Sequence, residues 1–196
     1  MVRPDRELLQ GEVEVDETYL ALTDRQTPIS AVGRKSNTTK VLVVVAVEML
    51  QPKGFGRIRI RQIDQGNHEP LLPFIKESVR PGAVIHSDGS AAYRELDDAG
   101  YQHRRTVHLG SDTPAHESMP GVHRVASLLQ RWMMGTHHGA VQPTQLDYYL
   151  DEFVFRFNRR TSRSRGLLFY RSLQQAVMTK PVTYGNIVGA QIKSGI

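Results

Sequence analysis

The segment that most constrains the fold is residues 39–50, TKVLVVVAVEML, which is rich in β-branched side chains and almost continuously apolar. A strand with one solvent-facing side alternates apolar and polar residues, whereas a strand covered on both faces is apolar throughout. The apolar part, residues 41–47, is far shorter than the ~20 residues that a membrane-spanning helix needs. We therefore predict a central strand that is buried on both faces of a sheet.

Two further segments alternate in polarity and predict strands beside the central one. Residues 12–20, EVEVDETYL, place Glu14 and Asp16 on one face of a strand and apolar side chains on the other. Residues 57–63, RIRIRQI, follow a turn that contains proline and glycine, and are expected to form an antiparallel hairpin with the central strand. In that hairpin, the arginines at positions 57, 59 and 61 are expected on the solvent face.

The remainder of the chain alternates between helical and strand-like patterns. Helices are predicted at residues 69–79, 123–134 and 144–158, strands near 83–89 and 101–107, a helical stub at 91–96 and a loop at 109–121. This order predicts an α/β fold with a mixed central sheet, in which three antiparallel strands are followed by crossover strands and helices flank the sheet. We expect residues 1–11 to form a short lead-in and residues 12–196 to form a single domain.

The composition excludes several kinds of site. The 196 residues include no cysteine, so disulfides, cysteine-ligated metal centres and cysteine nucleophiles are excluded. The 25 Lys and Arg residues against 20 Asp and Glu residues give a net charge of +5, which favours a polyanionic partner. The first residues carry charges where a signal peptide is apolar, so we expect a cytoplasmic protein with no membrane partner.

Two aspartates stand at positions where chemistry is expected. Asp16 lies in the middle of the first strand, and Asp88 ends the fourth in the sequence HSDGS. Taken singly, each has an ordinary explanation, because Asp16 suits a solvent-facing position and Asp88 suits a turn or a helix cap. Taken together, they occupy the region of adjacent strands where α/β domains gather ligands. Two neighbouring carboxylates repel each other unless a cation lies between them, which is how Mg²⁺ is held for phosphoryl transfer.

Four motifs occur in order along the chain. They are VEVDETY at 13–19, GRK at 33–35, SDG at 87–89 with Tyr93, and YYLDEFVFRFNRR at 148–160. Together, from about residue 10 to residue 190, they resemble the ISXO-like catalytic domain of bacterial insertion-sequence transposases of the DDE class. The resemblance implies a ribonuclease-H-like fold, two divalent ions (Mg²⁺ or Mn²⁺) per active site, and cleavage and joining of DNA at terminal inverted repeats.

By position in these motifs, Asp16 and Asp88 match the first two catalytic and metal-binding aspartates of the family. The third acid of the family is replaced by His123, which lies 35 residues after Asp88. Imidazole ligates divalent ions but prefers softer metals than Mg²⁺, so tolerance of Mn²⁺ is expected. Two alternatives remain open, in which His123 simply begins a basic helix or Glu117 supplies the third ligand.

The remaining predictions concern DNA. Relatives place a lysine where this chain has Gln130, and the neighbouring Arg131 is a candidate substitute. The arginines near the end of the second long helix have two explanations. They form a solvated face, or they bind phosphate from a segment that the neighbouring aromatic residues hold in place. The predicted DNA contacts are Arg124, Gln130, Arg131, Arg156, Asn158, Arg159, Arg160 and Arg163.

The predicted partners are terminal inverted repeats and target DNA, bound by a homodimer or a higher oligomer at the nucleoid. Two other functions stay open. One is a nuclease that hydrolyses DNA without joining it, and the other is a DNA-binding transposase remnant with weakened or no catalysis. The remnant is favoured by His123 and Gln130, which both depart from the family pattern.

Overall fold

A five-stranded sheet with helices on both faces forms the protein in the computed structural model, which describes residues 6–23, 38–64, 66, 68–106 and 119–183. The strands are β1 (Glu12–Thr23), β2 (Thr38–Met49), β3 (Phe55–Ile63), β4 (Val84–Asp88) and β5 (Gln102–Thr106). The helices are α1 (His68–Ser78), α2 (Pro120–His137), α3 (Leu146–Phe157) and α4 (Arg165–Met178). Short 3-10 turns occur at Ala91–Tyr93 and Pro143–Gln145.

The strands are arranged in the order β3-β2-β1-β4-β5. β1, β2 and β3 form an antiparallel meander, and β4 and β5 are added parallel to β1 and to each other. Parallel neighbours need crossover connections, which α1 and the segment after β4 provide. The predicted mixed sheet of three antiparallel strands followed by crossover strands is therefore confirmed.

β2 is the buried central strand that its composition predicts. Val43, Val45 and Val47 belong to the core beneath α2 and α3, whereas Val44 and Ala46 belong to the core beneath α1. All five side chains are at most 1% exposed. Because both faces of β2 are covered, apolar residues are stabilising at every position, and this explains why the segment does not alternate.

The first turn of α2 is held by a buried glutamate of β1. The backbone N–H of Val122 donates to Glu14 Oε2 at 2.9 Å, and Glu14 is only 4% exposed. Met119, which precedes the helix, provides no side-chain cap, so Glu14 satisfies helix N–H groups that would otherwise be unpaired. A carboxylate at a helix N-terminus is also favoured by the helix dipole.

The structure corrects one expectation for β3. Arg59 is not on the solvent face, since it is buried and only 4% exposed. The chain before β1 lies across this part of the strand, and Arg59 Nη2 donates to the carbonyl oxygen of Glu7. Arg57 Nη2 likewise donates to the carbonyl oxygen of Leu8 at 3.1 Å. A segment distant in sequence therefore covers side chains that the local alternation assigns to solvent.

Helix α4 is an element that the sequence patterns above do not include. Leu167, Phe169 and Val177 are all more than half exposed, and Gln175 is buried. No helix in the part of the chain that the structure describes is long and apolar enough to cross a membrane.

The contact between Glu14 and α2 predicts a strict size limit at Gly121. An added Cβ would lie 2.9 Å from both Glu14 Oε2 and Met49 Sδ, so Gly121→Ala should destabilise the fold by about 1–3 kcal/mol. Gly135→Ala is the matched control, because it lies in the same helix with nothing within 4 Å of the added Cβ. It should stabilise the fold by roughly 0.5–1 kcal/mol through helix propensity. Urea unfolding measures both; equal effects of the two substitutions would contradict the prediction.

Candidate active site

Asp16 and Asp88 lie on neighbouring parallel strands. β1 pairs with β4 from Glu12 opposite Val84 to Glu14 opposite His86. Continued by two residues, this register brings Asp16 level with Asp88. Both carboxylates also act electrostatically on Glu17, which agrees with their proximity. The sheet topology thus brings together two residues that are far apart in sequence.

His123 approaches the same region from α2. Asp16 and His123 line one cavity of about 120 Å³, together with Glu17, Thr18, Val45, Val122 and Ala126. His123 lies in the first turn of α2, directly after the residue that bonds to Glu14. Its Nε2 atom is buried and has no hydrogen-bond partner among the described residues. A buried imidazole nitrogen without a partner has an unused position for hydrogen bonding or for metal ligation.

Glu17 is a further acid at the site, which the sequence analysis did not single out. Its Oε1 accepts a hydrogen bond from the Tyr93 hydroxyl at 2.9 Å. Burial, together with the charges of Asp16 and Asp88, raises the pKa of Glu17 to about 7, while the Tyr93 hydrogen bond opposes the shift. Burial likewise raises the pKa of Tyr93. Asp16 and Glu17 therefore both line the cavity, Asp88 is near enough to act on Glu17, and a cation there would relieve the repulsion between these acids.

Glu14 belongs to the same group of acids but has a different role. Burial raises the pKa of its carboxyl, Asp16 adds to the shift, and the hydrogen bonds from the backbone of Val122 and Gly121 oppose it. Glu14 lies on β1, which has a strand on each side and helices over both faces of the sheet. A carboxylate at such a position needs hydrogen-bond donors close by.

The donor atoms suit a divalent ion, although the described residues do not assemble a complete set of ligands. Carboxylate oxygens suit Mg²⁺ and Mn²⁺, and a neutral imidazole nitrogen suits softer divalent ions. Within the described ranges, no group of three or more His, Asp or Glu side chains is placed to hold a metal ion. Glu117, the alternative third ligand, lies outside the described residues.

Three of the predicted DNA contacts lie on the helix that carries His123. Arg124, Gln130 and Arg131 are exposed on α2. Gln130 lies two turns after His123 on the same side of the helix, and its Nε2 donates to the carbonyl oxygen of Tyr19 at 3.4 Å. The α2 surface beside the acids therefore offers two guanidinium groups and an amide.

The other predicted DNA contacts lie at the end of α3, against β3. Asn158 Oδ1 accepts from the backbone N–H of Ile58 at 2.7 Å, and its Nδ2 donates to the carbonyl oxygen of Ile58 at 3.1 Å. Arg160 donates to the carbonyl oxygens of Gly56 and Phe55. These contacts give Asn158 and Arg160 a structural role in fastening α3 to the sheet edge.

The remaining arginines of this group are less constrained by the sheet. Arg156 pairs with Glu152 on α3 at 2.7 Å, and the guanidinium of Arg159 lies 3.9 Å from the ring centroid of Phe155. Arg163 is exposed before α4. Since β2 separates β3 from β1, the arginines at the end of α3 and the aspartates lie at different parts of the sheet.

Comparison with known proteins assigns the chain to a family. A family model described as an ISXO2-like transposase domain matches residues 8–158, more than half of the chain. The chain belongs to this transposase family. An uncharacterized transposase-like protein of Haemophilus influenzae is 25% identical over 95 residues, covering 48% of this chain and 76% of that protein.

A solved structure with a similar arrangement is the catalytic core domain of BIV integrase. It matches at a TM-score of 0.49 and 14% identity, covering 87% of this chain and 99% of that chain. The observed sheet order confirms the predicted α/β fold with a mixed central sheet. Membership of the ISXO2-like family connects the chain with DNA transposition in general.

The raised pKa of Glu17 predicts a pH-dependent loss of stability. Between the ordinary pKa of 4.5 and about 7, the folded protein binds more protons than the unfolded chain, so stability falls as the pH rises. The slope is at most about 1.4 kcal/mol per pH unit. Glu17→Gln keeps an acceptor for Tyr93 and removes the charge, so it should flatten this slope and be more stable than the wild type at pH 8.

Urea unfolding from pH 4 to pH 8, in buffer with a metal chelator, measures this effect. Glu95→Gln is the matched control, because Glu95 is exposed. Identical slopes for the wild type and the Glu17 variant would show that this carboxyl is not the group responsible.

Proposed function

We propose that this chain is a polynucleotidyl transferase that cleaves DNA at the terminal inverted repeats of an insertion sequence and joins the ends to target DNA. The observation that supports the proposal is the position of Asp16 relative to the strand of Asp88 and to the side chain of His123. The two aspartates lie on adjacent parallel strands, and His123 lines the same cavity as Asp16. The family membership supports the reaction class.

In this proposal, Asp16, Asp88 and His123 are the metal ligands. When bound, two Mg²⁺ or Mn²⁺ ions supply activation of the attacking oxygen and stabilisation of the leaving oxygen of a phosphodiester. The carboxylates of Asp16 and Asp88 contribute negative charge on neighbouring strands, where the sheet holds them without reorganisation. His123 contributes the buried Nε2 atom that has no partner among the described residues.

The exposed side chains of α2 are proposed to hold the DNA beside these ligands. Arg124 and Arg131 would bind backbone phosphates, and Gln130 would donate a hydrogen bond without a charge. Arg156, Arg159 and Arg163 are proposed as contacts further along the DNA, whereas Asn158 and Arg160 would act mainly by holding α3 in place. Phosphate contacts of this kind fix the register of the duplex without reading its sequence.

The remaining parts of the proposal concern the setting of the reaction. We propose that two ends of the element are held by a homodimer or a higher oligomer, and that the protein acts in the cytoplasm, at the nucleoid when DNA is bound. A second candidate function is a DNA-binding remnant without catalysis. It is favoured by the absence of a complete three-ligand cluster from the described residues and by Gln130, which lacks a charge.

Removal of either aspartate charge tests the catalytic role. Asp16→Asn and Asp88→Asn should each lower cleavage and strand transfer by more than about 100-fold, because metal ligands contribute more than the groups that orient them. Labelled oligonucleotides that end in the terminal repeat, with Mg²⁺ or Mn²⁺ added, provide the measurement. Asp64→Asn is the matched control, since Asp64 is exposed beside the edge strand β3.

Each outcome of this assay separates the candidate functions. Full activity of either aspartate variant would overturn the assignment of ligands. DNA binding by the wild type without cleavage under both metals would support the remnant, and cleavage without joining of an added 3′-hydroxyl end would support a simple nuclease.

The identity of the third ligand predicts metal selectivity. Because carboxylate oxygen suits Mg²⁺ better than imidazole does, His123→Glu should raise activity with Mg²⁺ relative to Mn²⁺, and His123→Ala should lower activity with both. Ser127→Glu is the matched control for added negative charge, because Ser127 is exposed one turn later on α2. An unchanged ratio of the two metal-supported rates in His123→Glu would argue against His123 as a ligand.

A further inference from the structure

A second cavity lies at the edge of the sheet, away from the candidate active site. It has a volume of about 260 Å³ and is bounded by β3, α3, α4 and the chain before β1. Its lining is Arg6, Glu7, Arg57, Arg59, Asp151, Val154, Phe155, Asn158, Arg159 and Gln175. Because β2 lies between β3 and β1, this cavity is about two strand spacings, roughly 10 Å, from the strand of Asp16.

The charge of the lining is positive. Four arginines face two acids, and the acid Glu7 is paired with Arg57 at 2.7 Å. Arg57 pairs in addition with Glu48, so its charge is compensated within the protein. The lining therefore keeps an excess of positive charge, to which the buried Arg59 contributes, although Asp151 acts on Arg6.

Arg59 is the unusual residue of this cavity. Its side chain is nearly fully buried, with Nη1 donating to the Ile58 carbonyl oxygen at 2.9 Å and Nη2 donating to that of Glu7. Its Nε atom is buried and has no partner, and no carboxylate of the described residues forms an ion pair with it. A buried guanidinium with an unused donor and no anion costs free energy, which a bound anion would recover.

Two further observations agree with an anion site. Burial, together with the neighbouring charges of Arg6 and Arg57, lowers the pKa of Arg59 to about 10. Gln175 of α4, buried at 8% exposure, also lines the cavity, and its Oε1 has no partner among the described residues. An unused acceptor and an unused donor in the lining of one cavity are expected where a ligand carries both an oxyanion and a hydroxyl or a bound water.

We propose that this cavity binds a phosphate group, with Arg59 as its central donor. The planar guanidinium matches the geometry of phosphate oxygens, and Arg6 and Arg159 add positive charge from the surrounding wall. Gln175 Oε1 accepts a hydrogen bond from a ligand hydroxyl or from a water in the cavity. The phosphate comes either from free phosphate in solution or from the backbone of a DNA strand, and the site stands independently of the proposed cleavage reaction.

Calorimetric titration of the full chain with inorganic phosphate tests the site, with sodium chloride at matched ionic strength as the reference. The wild type should bind phosphate, and Arg59→Met should weaken the affinity roughly ten- to a hundredfold, the range expected for hydrogen bonds to charged groups. Arg61→Met is the matched control on the same strand. The Arg61 guanidinium lies over the ring of Phe74 and pairs with Glu77 outside the cavity, so phosphate affinity should not change.

A second measurement keeps the test valid if Arg59→Met does not fold. In the ¹⁵N-labelled wild type, phosphate should shift the Nε–H resonance of Arg59, whereas the Nε–H resonance of Arg61 should stay in place. Gln175→Leu, on a different element, should also weaken phosphate binding.

Competition with DNA distinguishes the two sources of the phosphate. If a duplex without terminal phosphates displaces inorganic phosphate, and Arg59→Met weakens duplex binding, the site holds a backbone phosphodiester. If phosphate binds equally well to the DNA-bound protein, the ligand is free phosphate. The proposal is overturned if phosphate and duplex both leave the Arg59 resonance unshifted, or if Arg59→Met folds and binds both as the wild type does. The Asp16 and Asp88 variants report on cleavage separately.

Discussion

The hydrogen bond from α2 to Glu14 is the interaction on which the geometry of the candidate site depends. It joins β1 to the first turn of the helix, and Asp16 and His123 each follow within two residues of the joined groups. The burial of the carboxylate is costly, and the unpaired N–H groups and dipole of a helix N-terminus offset that cost. Gly121 permits the close approach, because any larger side chain would meet the same carboxylate.

The candidate site accumulates negative charge because the fold places acids on adjacent strands. The register of β1 and β4, continued by two residues, brings Asp16 level with Asp88, and Glu17 follows Asp16 with its pKa raised to about 7. The carboxylates in this arrangement repel one another in the folded protein. A divalent cation bound between them would relieve that repulsion, and this would favour its binding. Tyr93 limits the repulsion through its hydrogen bond to Glu17, and so connects the 3-10 turn after β4 to the acids.

Much of the fold and the core of the site could be predicted from local patterns. The apolar run of β2, the alternation of β1 and β3 and the stripes of α2 and α3 reflect burial that recurs with the period of each element. Asp16, Asp88 and His123 could be chosen as candidate site residues because the order and the spacing of the motifs match those of the family. In contrast, the burial of Arg59 depends on the chain before β1, which is distant in sequence, and the local alternation of β3 carries no signal of that contact.

The motif YYLDEFVFRFNRR at residues 148–160 shows that the role of a residue, like its burial, cannot always be predicted from the local sequence. Its arginines indicate phosphate binding in the sequence, yet in the structure Asn158 and Arg160 bond to the backbone of β3. The amide of Asn158 occupies both the N–H and the carbonyl oxygen of Ile58, as a neighbouring strand would. An unprotected edge strand is a template for pairing with another chain and for aggregation. By occupying these groups, the end of α3 blocks the addition of a sixth strand at Ile58.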